Sequence, residues 1–246
     1  MCAENIILQV KDGIAEIILN RPEKRNAISN KMGEEFLDAL RQCAQDKIIK
    51  IIMIRGEGNS FCAGRDLGEL AGIQENALQL YAGDSIFDQI YSVMKSIRKP
   101  IITAAHGYTM GGGLGLLAVS HYAIAAEDTV FALPEINFGL YPLGVITALW
   151  QTIGPRKSMQ LGLLGERFTA AEAHWMGLVD YTVPRSELFG KTMELAKRLC
   201  QKRGTALLAG VDAYNALTEE YFQRYCQYFK LMMIPFMTDN EGKTKS

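Results

Sequence analysis

Residues 48–55 read IIKIIMIR, a run that is apolar almost without interruption. Strands covered on both faces have this character, whereas strands with one face in water alternate apolar and polar side chains. An amphipathic pattern precedes the run, from Ser29 as a candidate N-cap to about Gln45, and another covers residues 77–97. A buried strand between amphipathic helices predicts an α/β fold.

Further strand-like runs lie on both sides of this segment. NIILQV and GIAEIILN flank a turn containing Asp12 and Gly13, and an Asp-Gly turn between two such runs predicts a β-hairpin. The run IITAA follows Pro100, and YAIAA follows about twenty residues later. The order strand, strand, helix therefore repeats along the first part of the chain.

The last third of the sequence has a helical character. A capping box, TAAE, begins at Thr169, Ser186 is a candidate N-cap of another helix, and residues 206–229 have a helical period. We therefore expect a core over residues 1–185 and a C-terminal helical region over residues 186–246. We interpret the second region as an oligomerisation region.

Composition excludes several classes of function. The chain has 246 residues, of which 48% are apolar, and its net charge is −1, so its overall field attracts neither nucleic acid nor an anionic membrane. Five cysteines and three histidines lack the spacing of a disulfide framework or a zinc site. No apolar run reaches the roughly 18 residues of a membrane span, and no signal peptide is evident. We expect no metal, no nucleic-acid partner, no membrane contact and a cytoplasmic location.

Three consecutive glycines, Gly111, Gly112 and Gly113, end a loop and begin a predicted helix. Unpaired N–H groups at a helix N-terminus carry positive dipole character, and glycine lets a ligand carbonyl approach the backbone closely. One such N–H is half of an oxyanion hole. A tight loop packed under a neighbouring helix uses the same glycines, so this segment alone leaves both interpretations open.

The segment from Gly113 to Ala118 also has the spelling G-x-G-x-x-A, which is that of a dinucleotide-binding fingerprint. The loop from His106 to Gly112 is too long for a phosphate turn tight against the strand. Glu127 follows Gly113 by fourteen residues instead of the usual twenty or so. A nicotinamide-dependent enzyme is therefore the weaker interpretation.

Two further features have the residues of a catalytic site. The loop FCAGRDL, residues 61–67, follows the buried strand, where α/β folds commonly bind ligands, and it can aim a second N–H at the same oxygen. Glu135 is a lone carboxylate within VFALPEINFGL. Burial raises the pKa of a carboxyl group, which suits a general acid/base near neutral pH. A surface glutamate beside a proline turn is the alternative.

In order and spacing, these motifs together resemble the crotonase (enoyl-CoA hydratase/isomerase) family over nearly the whole chain. The matching pieces are Asn20-Arg21-Pro22, Ala63-Gly64-Arg65-Asp66, Gly111-Gly112-Gly113, Pro134-Glu135 and Thr169-Ala-Ala-Glu-Ala. The resemblance implies a crotonase-like ββα spiral core with a C-terminal helical region. It also implies an acyl-CoA substrate, no cofactor other than the coenzyme A of that substrate, and a homotrimer or homohexamer.

The resemblance also implies roles for individual residues. Glu135 is the acid/base, and the backbone N–H groups of Arg65 and Gly112 form the oxyanion hole. Coenzyme A lies along residues 24–27 and 63–67. The implied substrate-binding residues are Lys24, Arg25, Ala27, Ala63, Asp66, Leu67, Gly111, Pro134 and Leu143. From helix placement alone, the acyl pocket is predicted to include Ile73, Leu80 and Phe87.

Gly115 stands where many hydratases of the family have their first glutamate. Hydration needs water oriented at C3 and a proton delivered to C2, which two carboxylates do naturally, and one can do if other groups hold the water. Moving a double bond from C3 to C2 needs one base. A glycine run followed by a lone glutamate also resembles some bacterial hydratases of branched glutaconyl-CoA thioesters. We predict 2-enoyl-CoA hydration, with Δ3,Δ2-enoyl-CoA isomerisation and non-catalytic acyl-CoA binding as alternatives.

Overall fold

Two sheets organise the chain in the computed structural model, which describes residues 5–70 and 85–238, with only part of the side chains from residue 223 onward. The larger sheet has the order β1-β2-β3-β4-β6-β9, in which β1 and β2 are antiparallel and the other neighbours are parallel. The smaller sheet has the order β5-β7-β8. The strands are β1 Ile6–Lys11, β2 Ile14–Leu19, β3 Ile51–Gly56, β4 Ile101–Ala105, β5 Tyr108–Met110, β6 Tyr122–Ala126, β7 Val130–Ala132, β8 Arg167–Thr169 and β9 Tyr181–Val183.

Helices connect and cover these strands. They are α1 Asn30–Gln45, α2 Leu67–Leu70, α3 Ile86–Ser96, α4 Gly112–Ala118, α5 Leu143–Ile153, α6 Pro155–Leu164, α7 Ala170–Trp175, α8 Leu188–Cys200 and α9 Gly204–Thr238. Short 3-10 helices span Pro22–Lys24, Pro134–Phe138 and Arg185–Glu187. Within the described ranges, no helix is both long and apolar enough to cross a membrane.

The predicted hairpin and buried strand are both confirmed. Asp12 and Gly13 have φ values of 52° and 78°, as a two-residue turn between β1 and β2 requires. In β3, Ile52 and Ile54 belong to the apolar cluster under α1 and α3, whereas Met53 belongs to the cluster under α8. Helices therefore cover both faces of β3, which explains why its sequence does not alternate.

Two predicted helix starts are confirmed. The Ser29 side chain accepts a hydrogen bond from the Met32 N–H at the start of α1, over 3.2 Å. The Thr169 and Glu172 side chains form the expected capping box at α7. The helix predicted over residues 77–97 begins at Ile86 within the described ranges, after Ser85 as its N-cap; the part before residue 85 lies outside them.

The predicted N-cap at Ser186 is wrong. Ser186 lies inside the 3-10 helix Arg185–Glu187, and α8 begins only after it, at Leu188. The N-cap is Glu187, whose side chain makes no capping hydrogen bond. The chain first turns tightly after Pro184, so the Ser186 hydroxyl is one residue too early to cap α8.

The predicted C-terminal helical region is confirmed, and it packs on the core. Phe222 of α9 meets Tyr91 of α3 edge to face, with ring centroids 6.1 Å apart. The Asn215 side chain donates to the Ile97 carbonyl oxygen over 2.9 Å. This long helix therefore supports α3 from behind. A boundary after residue 185 and a role in oligomerisation stay predictions.

Candidate active site

The glycine run and the FCAGRDL loop meet at the start of α4. A Cβ placed on Gly64, whose φ is 90°, would lie 2.9 Å from the Met110 carbonyl oxygen and 3.3 Å from the Gly112 nitrogen. Only a glycine permits both this backbone conformation and this approach. The glycine at position 64 therefore lets the loop lie directly against the N-terminus of α4.

Backbone hydrogen bonds orient the loop. The Ile28 N–H donates to the Gly64 carbonyl oxygen over 2.8 Å, and the Asp66 N–H donates to the Ile28 carbonyl oxygen over 3.0 Å. In an extended chain, consecutive N–H groups point to opposite sides, so the N–H of Arg65 points away from Ile28. On the opposite side, the Met110 N–H donates to the Cys62 carbonyl oxygen over 2.9 Å.

Two N–H groups at this junction are not used by the backbone. Among the backbone hydrogen bonds of the described residues, none has the N–H of Arg65 or Gly112 as its donor. Gly112 is the first residue of α4, where an N–H has no partner within the helix. The arrangement therefore offers the pair of donors that an oxyanion hole requires.

Glu135 faces the same junction. It lies in the 3-10 helix Pro134–Phe138, and its Oε1 would be 2.5 Å from a Cβ placed on Gly111. Its Oε2 is buried and has no hydrogen-bond partner among the described residues. Burial raises the pKa of the Glu135 carboxyl from 4.5 to about 7. A carboxyl group with this pKa can donate or accept a proton near neutral pH.

A cavity of about 160 Å³ opens beside Glu135. Its lining includes four of the residues assigned by resemblance, namely Arg65, Gly112, Glu135 and Leu143. Leu143, at the start of α5, and Phe87, in the first turn of α3, add apolar surface. The structure therefore brings these five predicted residues to one cavity. Ile73 and Leu80 lie outside the described residues.

Of the segments predicted to bind coenzyme A, residues 24–27 and 63–67, only Arg65 lines this cavity. The Ala63 N–H donates to the Arg25 carbonyl oxygen over 3.0 Å, so the two predicted segments are adjacent. Lys24, Arg25 and Leu67 are exposed, and Ala27 is buried.

Asp66 accepts a hydrogen bond from Arg21 at 3.0 Å, so its carboxylate is paired within the protein. The same Arg21 donates to the Ala27 carbonyl oxygen over 2.7 Å. Arg21 therefore joins the two segments, and Asp66 holds the loop that presents the Arg65 N–H.

The space at Gly115 is filled by Tyr91. A Cβ at position 115 would overlap the Tyr91 hydroxyl oxygen and the ring carbon Cζ. That hydroxyl donates a buried hydrogen bond to the Gly112 carbonyl oxygen over 2.7 Å. Gly113 packs equally closely, because a Cβ there would lie 2.5 Å from the Cys62 carbonyl oxygen. Close packing therefore explains why Gly113 and Gly115, the two glycines of the apparent dinucleotide-binding pattern, have no side chain.

Sequence reasoning missed Asp88, a second carboxylate of the cavity lining. Ser85 and Asp88 form a capping box at the start of α3. A Cβ on Gly144 would overlap the Asp88 Oδ1, so this side chain also meets the N-terminus of α5. The sequence pattern S-x-x-D predicts a helix start at Ser85, but the contact between Asp88 and Gly144 appears only in the folded structure.

Comparisons with known proteins agree on one family. A family model described as enoyl-CoA hydratase/isomerase matches residues 9–244. The chain is 32% identical over 226 residues to a hydroxycinnamoyl-CoA hydratase-lyase of Pseudomonas fluorescens, covering 88% of this chain and 80% of that protein. It is 35% identical over 202 residues to a probable enoyl-CoA hydratase of Bacillus subtilis (strain 168), covering 80% and 76%. The crystal structure of a probable enoyl-CoA hydratase from Mycobacterium thermoresistibile matches with a TM-score of 0.83 at 30% identity, covering 92% and 93%.

Proposed function

The chain belongs to the enoyl-CoA hydratase/isomerase family, and on that premise we propose that it adds water across the C2–C3 double bond of a 2-enoyl-CoA thioester. The expected crotonase-like α/β core with a helical C-terminal region is confirmed by its structural neighbours. Similar proteins named as hydratases support the choice of hydration within the family.

The observation that carries the proposal is the Oε2 atom of Glu135, which is buried without a hydrogen-bond partner among the described residues although the residue as a whole is half-buried. Burying a carboxylate without a partner is unfavourable, so such a group persists where its chemistry is needed. It borders the same cavity as Gly112 and lies against Gly111. A thioester oxygen held at the Arg65 and Gly112 N–H groups would put the reacting carbons of the acyl group beside this carboxyl.

The reaction then divides between these groups. As water adds to C3, the π-electron pair moves toward the thioester and forms an enolate oxygen. The two N–H groups bind that oxygen, and each such donor contributes about 2.7–4 kcal/mol to the transition state. Glu135, protonated at the start, gives its proton to C2 as the enolate collapses, and the proton that the water loses as the C3–O bond forms is released to solvent, from which Glu135 is reprotonated. No external electron acceptor is required, because the thioester itself accepts the electron pair.

Coenzyme A is proposed to lie along residues 24–27 and 63–67. Lys24 and Arg25 are exposed there and can meet the phosphate groups of coenzyme A. Pro134 precedes the acid/base residue and sets the start of its 3-10 helix. A homotrimer or homohexamer remains our proposal for the assembled enzyme.

Isomerisation is the second candidate, and Gly115 is the observation that favours it. One base suffices to carry a proton between C2 and C4, and position 115 has no side chain. The two functions separate when purified protein is incubated with crotonyl-CoA and, separately, with a 3-enoyl-CoA. Formation of 3-hydroxyacyl-CoA, abolished in Glu135→Gln, supports hydration. Conversion of the 3-enoyl to the 2-enoyl thioester without any hydration would refute it in favour of isomerisation. Binding without turnover, unaffected by Glu135→Gln, would refute both.

A further inference from the structure

Asp88 reaches the cavity from α3, whereas position 115 lies in α4. It lies in the first turn of α3, is only 8% exposed, and lines the cavity together with Glu135. A carboxylate is rarely this buried unless it is paired or used. The cavity therefore has two carboxylates, although position 115 has none.

Tyr91 lies one turn after Asp88 and lines the same cavity as the two carboxylates. Burial raises the pKa of the Tyr91 phenol well above 10, and the negative charges of Asp88 and Glu135 add to this effect. The phenol therefore stays protonated and keeps its hydrogen bond to the Gly112 carbonyl oxygen. Because the Tyr91 hydroxyl fills the space at Gly115, a glutamate could not occupy that position in this packing.

We infer that Asp88 is the second carboxylate of the hydration reaction, in place of the glutamate absent at position 115. This inference rests on the proposed function. Asp88 accepts a hydrogen bond from the water that attacks C3 and takes one of its protons as the C3–O bond forms. The electron pair of the double bond moves to the enolate oxygen, and the protonated Glu135 gives its proton to C2. Exchange with solvent then returns both carboxyl groups to their starting states.

The capping role of Asp88 is compatible with this chemistry. Its Oδ2 accepts from the Ser85 N–H over 3.4 Å, which is long for a hydrogen bond. The two oxygens of a carboxylate offer about four acceptor positions, so a carboxylate that caps a helix can also accept from a water molecule. The capping contacts also fix the rotamer of Asp88, as a group that orients a water molecule requires.

The test uses two reactions that differ in their need for water. The first is hydration of crotonyl-CoA, and the second is exchange of the C2 hydrogens of butyryl-CoA for deuterium in heavy water. Exchange needs a base and the enolate-binding N–H groups, but no water addition. Asp88→Asn retains an oxygen that can accept the Ser85 N–H, so the helix cap is preserved while the base is lost. Asp38→Asn, at an exposed position of α1, is the matched control.

In Asp88→Asn we expect hydration to fall at least about 100-fold, the contribution typical of general base catalysis, while deuterium exchange stays within about threefold. Asp38→Asn should leave both reactions unchanged. Asp88→Asn that hydrates within about tenfold of wild type would overturn the inference. A folded Asp88→Asn protein that loses both reactions equally would also overturn it, since the residue would then act only on the architecture of the site.

The failure of the proposed function would look different. If Glu135→Gln retains hydration, or if the wild-type protein does not hydrate the substrate at all, the proposed function itself fails. If Glu135→Gln abolishes hydration and Asp88→Asn does not impair it, the proposed function stands and only the role of Asp88 is removed.

Discussion

Gly115→Ala is expected to destabilise the protein, although a glycine-to-alanine change inside a helix ordinarily stabilises it. Gly115 is an interior residue of α4, where alanine is favoured over glycine by about 1 kcal/mol. The new Cβ would overlap the Tyr91 hydroxyl and Cζ and would lie 3.0 Å from Cε2. The Tyr91 ring cannot easily withdraw, because it packs against Phe87 and Phe222 and its hydroxyl is hydrogen-bonded.

The magnitude follows from these opposing terms. Overpacking a core costs about 1–3 kcal/mol, and displacing the buried hydroxyl from the Gly112 carbonyl costs roughly 1 kcal/mol more. After the gain in helix propensity, the free energy of unfolding should fall by about 1–3 kcal/mol. Gly190→Ala in α8 is the matched control, since nothing lies within 4 Å of its Cβ position, and it should gain about 0.5–1 kcal/mol.

Urea unfolding followed by circular dichroism measures both variants, and a second background isolates the cause. In Tyr91→Leu the hydroxyl and the Cζ are gone, so the alanine at position 115 should cost at least about 1 kcal/mol less than in wild type. The explanation that Tyr91 fills the space beside Gly115 is refuted if Gly115→Ala has the same free energy of unfolding as Gly190→Ala. It is also refuted if Gly115→Ala has the same effect in wild type and in Tyr91→Leu.

Three further predictions concern the acid/base residue Glu135 and the buried residue Asn26. Burial raises the pKa of Glu135 from 4.5 to about 7, so the folded chain binds this proton more tightly than the unfolded chain and loses stability as the pH rises between these values. Glu135→Gln does not titrate, so its free energy of unfolding, measured in urea and relative to that of wild type, should be about 3 kcal/mol higher at pH 8 than at pH 4. Hydration and C2 hydrogen exchange should have opposite pH profiles. The rate of hydration should fall tenfold per pH unit above about 7 because hydration needs Glu135 protonated, whereas the rate of exchange should fall below that pH because exchange needs Glu135 ionised. Parallel profiles would contradict this role of Glu135. Asn26 is fully buried at a φ of 54°, and its side chain accepts from the Arg21 N–H and donates to the carbonyl oxygens of Glu57 and Ser60. Asn26→Ala should therefore lower the unfolding free energy by about 3 kcal/mol or more, and Asn26→Gly by about 1 kcal/mol less, whereas equal losses would refute the role of the backbone conformation.

Local chemistry explains why much of the fold could be predicted. The Asp12-Gly13 turn, the Ser29 cap and the capping box at Thr169 each depend on residues within four positions of one another, and all three are confirmed. The prediction at Ser186 failed on the same scale, because a proline-led 3-10 turn delays α8 by a few residues. The sequence pattern predicts that a helix follows Pro184, but it does not predict that the 3-10 turn continues to Glu187.

The second carboxylate of the site could not be predicted, for a different reason. Asp88 and Gly144 meet only because α3 and α5 begin side by side, and the two positions are far apart along the chain. In the sequence, Ser85 and Asp88 have the spacing of a capping box, and they form one. Glu135 was recognisable because it interrupts an apolar run, whereas Gly115 acquires its meaning only beside the Tyr91 hydroxyl.

The most direct measurement follows crotonyl-CoA in heavy water by NMR, with wild-type protein beside Glu135→Gln. Wild-type protein should form 3-hydroxybutyryl-CoA with one deuterium at C2, because Glu135 exchanges its proton with solvent and delivers it there. Glu135→Gln should form this product at least about 100-fold more slowly while still binding the thioester. Equal rates in the two proteins, or a wild-type protein that binds crotonyl-CoA and forms no hydrated product, would contradict hydration by Glu135.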